Sequence, residues 1–158
     1  MTKDQINEFT LKISASNPTG IISVLFEIYF AYDQDARVAL ETKDYSEFLH
    51  SVGKCSEVIT HLQNDLDFKY EIAKQLYPLY AFCQKSLAKS TYQATIVGLD
   101  ESAIIMGKLK EAFSEIAKND KSSSVMTNAQ QVVAGMTYGR AGLNENMNEG
   151  VRPRGFFA

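Results

Sequence analysis

The chain has 158 residues, is 45% hydrophobic and 22% charged, and carries a formal net charge of -3. That is enough chain to bury one core, too apolar for wholesale disorder, and without the basic excess of a nucleic-acid binder. No apolar run approaches the roughly 18–20 residues that insert into a membrane as a span, and two cysteines form no disulfide framework, so a reducing cytoplasm is the expected setting.

The opening "MTKDQINEF" is acidic and polar and lacks the charged-then-apolar layout of a secretory signal. Residues 1–16 are expected to form a flexible N-terminal segment. The first predicted helix starts at "SNPTG", where Asn17 can cap and Pro18 takes the first helical position, whose N–H would be unpaired anyway. From there Ile21, Leu25, Ile28, Tyr32 and Ala36 recur at steps of three and four, an amphipathic stripe. Asp44 is placed to cap a second helix, whose stripe runs through Tyr45, Phe48, Leu49, Val52, Cys55, Ile59, Leu62 and Leu66. A third helix carries Ile72, Ala73, Leu76, Tyr80, Cys83 and Leu87 on one face, with Tyr77 beside them. Pro78 interrupts it and predicts a kink or local break, because an interior proline costs about 3 kcal/mol in a straight helix. A fourth, with Asp100 as its expected cap, carries Ile105, Leu109, Ala112, Phe113 and Ile116 and fades at "KNDKSSS".

Four helices joined by short loops predict an all-α fold, an antiparallel up-down four-helix bundle over residues 17–120. Residues 121–158 change character: five of the 9 glycines lie there, and four basic residues against two acids give +2 where the body carries -5. This is a C-terminal extension, partly ordered at most. Val125, Met126, Ala129, Val132, Val133 and Met136 recur with helical spacing, so the extension is able to add a short fifth helix.

Catalytic chemistry finds no foothold. His50 and His61 stand 11 residues apart, roughly 16 Å along one helix, too far to share an ion. Cys55 and Cys83 fall on apolar stripes, where cysteine behaves as a small buried hydrophobe. The glycines of "GMTYGRAG" follow no strand and lack the Lys-Ser/Thr ending of a phosphate loop. No cofactor or metal is therefore expected. The positive signal is aromatic: 9 Phe and 8 Tyr, with no Trp. Most of them belong in a core. Yet Phe26, Tyr29 and Phe30 fall off the first stripe, and Tyr77, Leu79 and Phe82 off the third. A helix apolar nearly all round has a second surface to cover, and a small bundle has no central helix.

In order and spacing these helices resemble the flagellin-specific flagellar export chaperones, the FliS family. Asn17-Pro18 followed by Leu25-Phe26-Glu27 stands where that family has a Ser-Pro-type cap and Leu-Tyr-acid. Lys54 to Leu62 matches its second-helix pattern in type. Glu71-Ile72-Ala73 and Gln75-Leu76-Tyr77-Pro78-Leu79-Tyr80-Ala81-Phe82-Cys83 match its third-helix block, and Leu109-Lys110-Glu111-Ala112-Phe113 its fourth. Phe113 replaces a Trp, Ile28 a Gly, and Phe9 adjoins the place of an N-terminal Tyr. The similarity runs from about Asn17 to Ala117.

The resemblance implies a cytoplasmic, non-enzymatic chaperone. Its client would be the C-terminal segment of flagellin, held in an apolar groove against premature polymerisation and handed to a component of the flagellar export gate. The off-stripe positions and the family pattern together nominate Ile13, Leu25, Tyr29, Tyr77 and Tyr80 as client-binding residues. The chain's own tail is able to occupy part of such a groove. The alternative left open is a homodimeric four-helix adaptor of another secretion system; a weak homodimer also remains compatible with the chaperone.

Overall fold

The computed structural model describes residues 1–126, and within them the chain forms five helices and no strand. These are α1 (Lys3–Ala15), α2 (Pro18–Glu41), α3 (Tyr45–Asn64), α4 (Glu71–Gln93) and α5 (Val97–Asn119). Helices α2 to α5 make the expected bundle. Each packs on the next, α5 closes back on α2, and the diagonal pairs make no close backbone approach. The short fifth helix expected from Val125 to Met136 lies, beyond Met126, outside the described residues.

The extra helix within them is N-terminal. Residues 1–16, expected to be flexible, are helical over Lys3–Ala15. The Thr2 hydroxyl accepts from the Gln5 N–H while the Gln5 side chain accepts from the Thr2 N–H, a capping box that satisfies two donors at once. Helix α1 packs on α2 alone. Lys12 pairs with Glu27 of α2 at 2.9 Å, and the N-terminal ammonium pairs with Asp35. The two helices therefore run antiparallel.

The stripe expected on α2 is right at Ala36 and displaced before it. Phe26 and Tyr29, expected off the core face of α2, are buried in it with Ala36 and Ala39, whereas Leu25, Ile28 and Tyr32 only flank it. Helix α2 has three neighbours, α1, α3 and α5, so its apolar residues run round most of its girth. Val24 is buried apart from the main core, among the positions that α1 covers.

The helix starts divide into two kinds. Asn17 and Asp44 cap α2 and α3 as expected, accepting from Gly20 N at 2.8 Å and Glu47 N at 3.0 Å. Asp100 does not cap α5, which begins earlier, at Val97, without a side-chain cap of its own. Ser90 of α4 does the work instead: its hydroxyl accepts from Leu99 N at 3.0 Å and donates to Thr95 O at 2.6 Å. The turn between α4 and α5 passes through Ala94 at φ 50, and "ATIV" belongs to this turn and the start of α5. Asp100 lies in the first turn of α5, where Arg37 of α2 reaches it at 2.6 Å.

Helices α4 and α5 meet almost backbone to backbone. A Cβ on Gly98 would lie 1.9 Å from the Ser86 carbonyl oxygen. Of the kink or local break expected at Pro78, the break is absent: helix α4 runs continuously from Glu71 to Gln93. Pro78 and Lys74 are both exposed, so water can serve the Lys74 carbonyl that the proline leaves without an N–H partner.

Residues 120–125 fold back over the α1–α2 junction. Asn17 Nδ2 donates to Ser122 O at 3.3 Å, Val125 N donates to Ser16 O at 3.0 Å, and the Thr19 hydroxyl bonds the Asp120 carboxylate.

Two substitutions test this packing. Gly98→Ala should lower the urea midpoint by an amount worth about 1–3 kcal/mol, because the new methyl meets backbone that cannot swing aside; an unchanged midpoint would contradict the contact. Pro78→Ala should leave stability equal or higher, and a measured loss above roughly 2 kcal/mol would show that the proline ring is packed into the fold.

Candidate functional site

Helix α4 also has apolar residues on more than one side, but only α3 and α5 cover it. Its inward row is Ala73, Leu76, Tyr80, Cys83 and Leu87, all buried. Ile72, expected on that row, is exposed, and so are Tyr77, Leu79 and Phe82. Ile72, Leu79 and Ser86 follow one another at seven-residue steps, and Ser86 donates to Glu101 of α5 at 2.9 Å. This row is the α5-side flank. Tyr77 turns to the other side, where its ring meets Phe68 edge-on at 5.7 Å between centroids. Phe68 lies in the α3–α4 connection, in which Asp67 accepts from Lys69 N at 3.0 Å and delays the helix until Glu71.

A cavity opens at the end of the bundle where α2 and α4 begin and α3 and α5 finish, and exposed Ile72 and Tyr70 border it. Its volume is about 370 Å³, and its walls include Ile22, Leu66, Ile72, Leu76, Phe113 and Ile116. Tyr80 is part of the wall although only 1% of its surface is accessible. Asp65 and Asp67 also line it, and no basic residue does. Lys69 approaches Asp67 only to 3.9 Å. A wider cleft of about 470 Å³ between α2 and α5 is walled largely by Lys110, Glu111, Glu115 and Lys118, which suits water better than an apolar guest.

The five residues nominated from sequence fall in different places. Tyr77 is 47% exposed on α4, and Tyr80 backs the end cavity. Tyr29 is wholly inside, donating to Ser102 Oγ at 2.7 Å. Leu25 is partly buried against the core, and Ile13 is partly buried on α1. Tyr77 and Tyr80 thus share the neighbourhood of α4, while Ile13, Leu25 and Tyr29 do not line its cavity. Ile22, Leu66, Phe113 and Ile116 were not singled out from sequence as binding residues. Only the folding of four helix ends to one place gives them a common role.

A family model described as flagellar protein FliS matches residues 3–120. The chain belongs to that family. The match takes in α1 together with the whole bundle, so it starts well before the Asn17 at which the sequence resemblance begins, and it stops where α5 gives way to residues 121–158. No match is found among curated proteins. Membership of the FliS family carries the role of a flagellar export chaperone.

Among the described residues no three His, Cys, Asp or Glu gather as a metal ion would require, and no helix is long and apolar enough to cross a membrane. Cys55 and Cys83 are free and buried, and burial pushes both thiols up, away from the thiolate a nucleophile needs.

Desolvation likewise raises Tyr29, and it pushes Tyr80 up to about 12 from an ordinary 10. Their neutral forms are favoured by folding, so the stability they contribute is complete below pH 10 and is lost as the pH climbs towards and through 12. In an alkaline titration the absorbance of the last tyrosinates should rise together with loss of the helical circular dichroism; full tyrosine ionisation with the helices intact would contradict their burial.

Proposed function

We propose that this FliS-family chain binds the disordered C-terminal segment of flagellin in the cytoplasm, keeps it from polymerising early, and delivers it to the export gate. The observation that supports this best is the uncovered apolar side of α4. On α2 the corresponding side is covered by α1. On α4, Ile72, Leu79 and Phe82 face solvent along the α5-side flank and Tyr77 along the opposite flank, over about three helical turns, and Ile72 also lines the end cavity. An amphipathic client helix needs such a surface, with anchors at three- and four-residue steps and hydrogen bonds of its own. A client that folds on binding must offset the entropy of ordering itself, so the surface it meets has to be long and largely preformed. Of the nominated residues, Tyr77 would touch the client directly and Tyr80 would shape the wall behind it. Tyr29, Leu25 and Ile13 would act through the packing of α2 and α1.

Calorimetry with a flagellin C-terminal peptide tests the reading. Binding should be close to one to one, with a negative heat-capacity change and weak salt dependence. Tyr77→Ala and Phe82→Ala should keep the native circular dichroism and each weaken binding by about 1–2 kcal/mol. Tyr29→Ala should instead cost about 3–5 kcal/mol of stability, as loss of a buried ring does. Wild-type affinity in folded Tyr77→Ala and Phe82→Ala variants would move the client surface elsewhere. A mass that rises with concentration, with no response to the peptide, would favour the homodimer.

A further inference from the structure

The end cavity combines an apolar interior, an acidic mouth and a particular neighbour. Asp65 and Asp67 stand at its edge without a basic residue among its walls. Asp65 makes no ion pair among the described residues, and Asp67 only the 3.9 Å approach of Lys69. On the same end of the bundle, the segment 120–125 is tied to Ser16, Asn17 and Thr19. That anchorage lies about one helical turn from Ile22 on α2 and from Ile116 on α5, and both of these line the cavity. The rest of the chain therefore departs from the rim of this cavity.

What departs carries the complementary chemistry. After Met126 two acid-free stretches join cations to large apolar side chains, "VVAGMTYGRAGL" with one arginine and "VRPRGFFA" with two arginines and two phenylalanines; the second carries the denser charge and the larger rings. Arg152 and Arg154 precede Phe156 and Phe157 by a few residues, the order of features found at the cavity, acidic edge and then apolar floor. The residues between Met126 and Phe156 span up to roughly 100 Å of contour, far more than the roughly 35 Å length of a bundle helix. Reach thus selects no particular surface, and charge and shape do. Tethering holds the segment at about millimolar effective concentration, so even weak complementarity fills the site.

We propose that the end cavity is the docking site of this chain's own residues 152–157, with the Phe156 and Phe157 rings inside and Arg152 and Arg154 against Asp65 and Asp67. The inference does not depend on which client the chain carries, since both partners belong to one chain. Its consequence is that any guest entering the cavity must first displace the chain's own segment.

The full-length chain can report this directly. Cys55 and Cys83 are buried, so a nitroxide attached through Ala158→Cys marks the tail selectively. Methyl signals of Ile22, Leu66, Ile72 and Ile116 should broaden, while those of Leu49 and Val97, at the opposite end, should not. Removing both rings with F156A/F157A should reduce the occupancy by roughly tenfold or more. Reversing charge with R152E/R154E should reduce it by about threefold to tenfold, and adding Asp65→Lys should recover part of that loss. Broadening spread evenly over the bundle, or absent, overturns the proposal, and so does indifference to F156A/F157A or to the charge reversals. Broadening seen when the nitroxide and the isotope label sit on different molecules also overturns it, because the occupant is then a second copy.

Discussion

A single thread of polar contacts crosses the middle of the bundle and touches all four of its helices. The Tyr29 hydroxyl of α2 donates to Ser102 Oγ of α5 at 2.7 Å. The thiol of Cys55, from α3, lies 3.6 Å from the Tyr29 carbonyl, and that of Cys83, from α4, 3.9 Å from the Ser102 carbonyl. The thiol contacts are weak, but a hydroxyl sealed from water is not free to lose its partner, at a cost of about 1–3 kcal/mol. Sliding α2 against α5 by one turn would break that bond and leave both groups buried. The register so fixed places Phe26 against Phe113 on one side, at 5.6 Å between ring centroids. On the other it brings Arg37 between Asp33 and Asp100. The close meeting of Gly98 with Ser86 then determines how far α4 can stand from α5.

From this framework follows the difference between the two helices with more apolar surface than a bundle corner needs. Helix α2 has its surplus covered within the chain, because α1 folds back along it and ion pairs at Glu27 and Asp35 hold the pair together. The Lys12–Glu27 pair is exposed and contributes little energy singly, whereas the ammonium–Asp35 pair is partly buried; Val24 of α2 is buried outside the main core. Helix α4 has no such cover. Its exposed residues carry their hydration cost in the free protein, a cost that is recovered only when something covers them.

Much of the fold was readable from local rules. Asn17-Pro18 and Asp44 marked two helix starts because their caps are made within four residues, and most of the α3 stripe was right because α3 has two neighbours and one buried face, although Tyr45 and Leu49 on it are exposed. Reading failed where a neighbour intervened. Asp100 looked like a cap, but Ser90 of another helix supplies that bond. The stripe of α2 was only partly right, at Ala36, because a helix covered on three sides has no single apolar face to find. The α1 helix was missed although its signal was present: Thr2 and Gln5 have capping-box spacing, with Ile6, Phe9 and Ile13 following at three- and four-residue steps. The site was half legible. Tyr77, Leu79 and Phe82 stood out as surplus on α4, whereas the cavity joins Ile22 to Ile116 across nearly the whole bundle sequence.

The bonds from Ser16, Asn17 and Thr19 to residues 120–125 join the beginning of the body to its end. During synthesis the helices emerge in order, and each can settle against its predecessor as soon as it is complete, since sequential neighbours are also spatial ones. Two contacts are exceptions. Helix α2 must wait for α5, and the junction between α1 and α2 must wait longer still, until residue 125 has cleared the ribosome, before its exposed carbonyl and amide groups find their partners. The segment made among the first is thus the last to be locked, and the bundle carries a built-in signal of its own completion at the end where its apolar cavity opens.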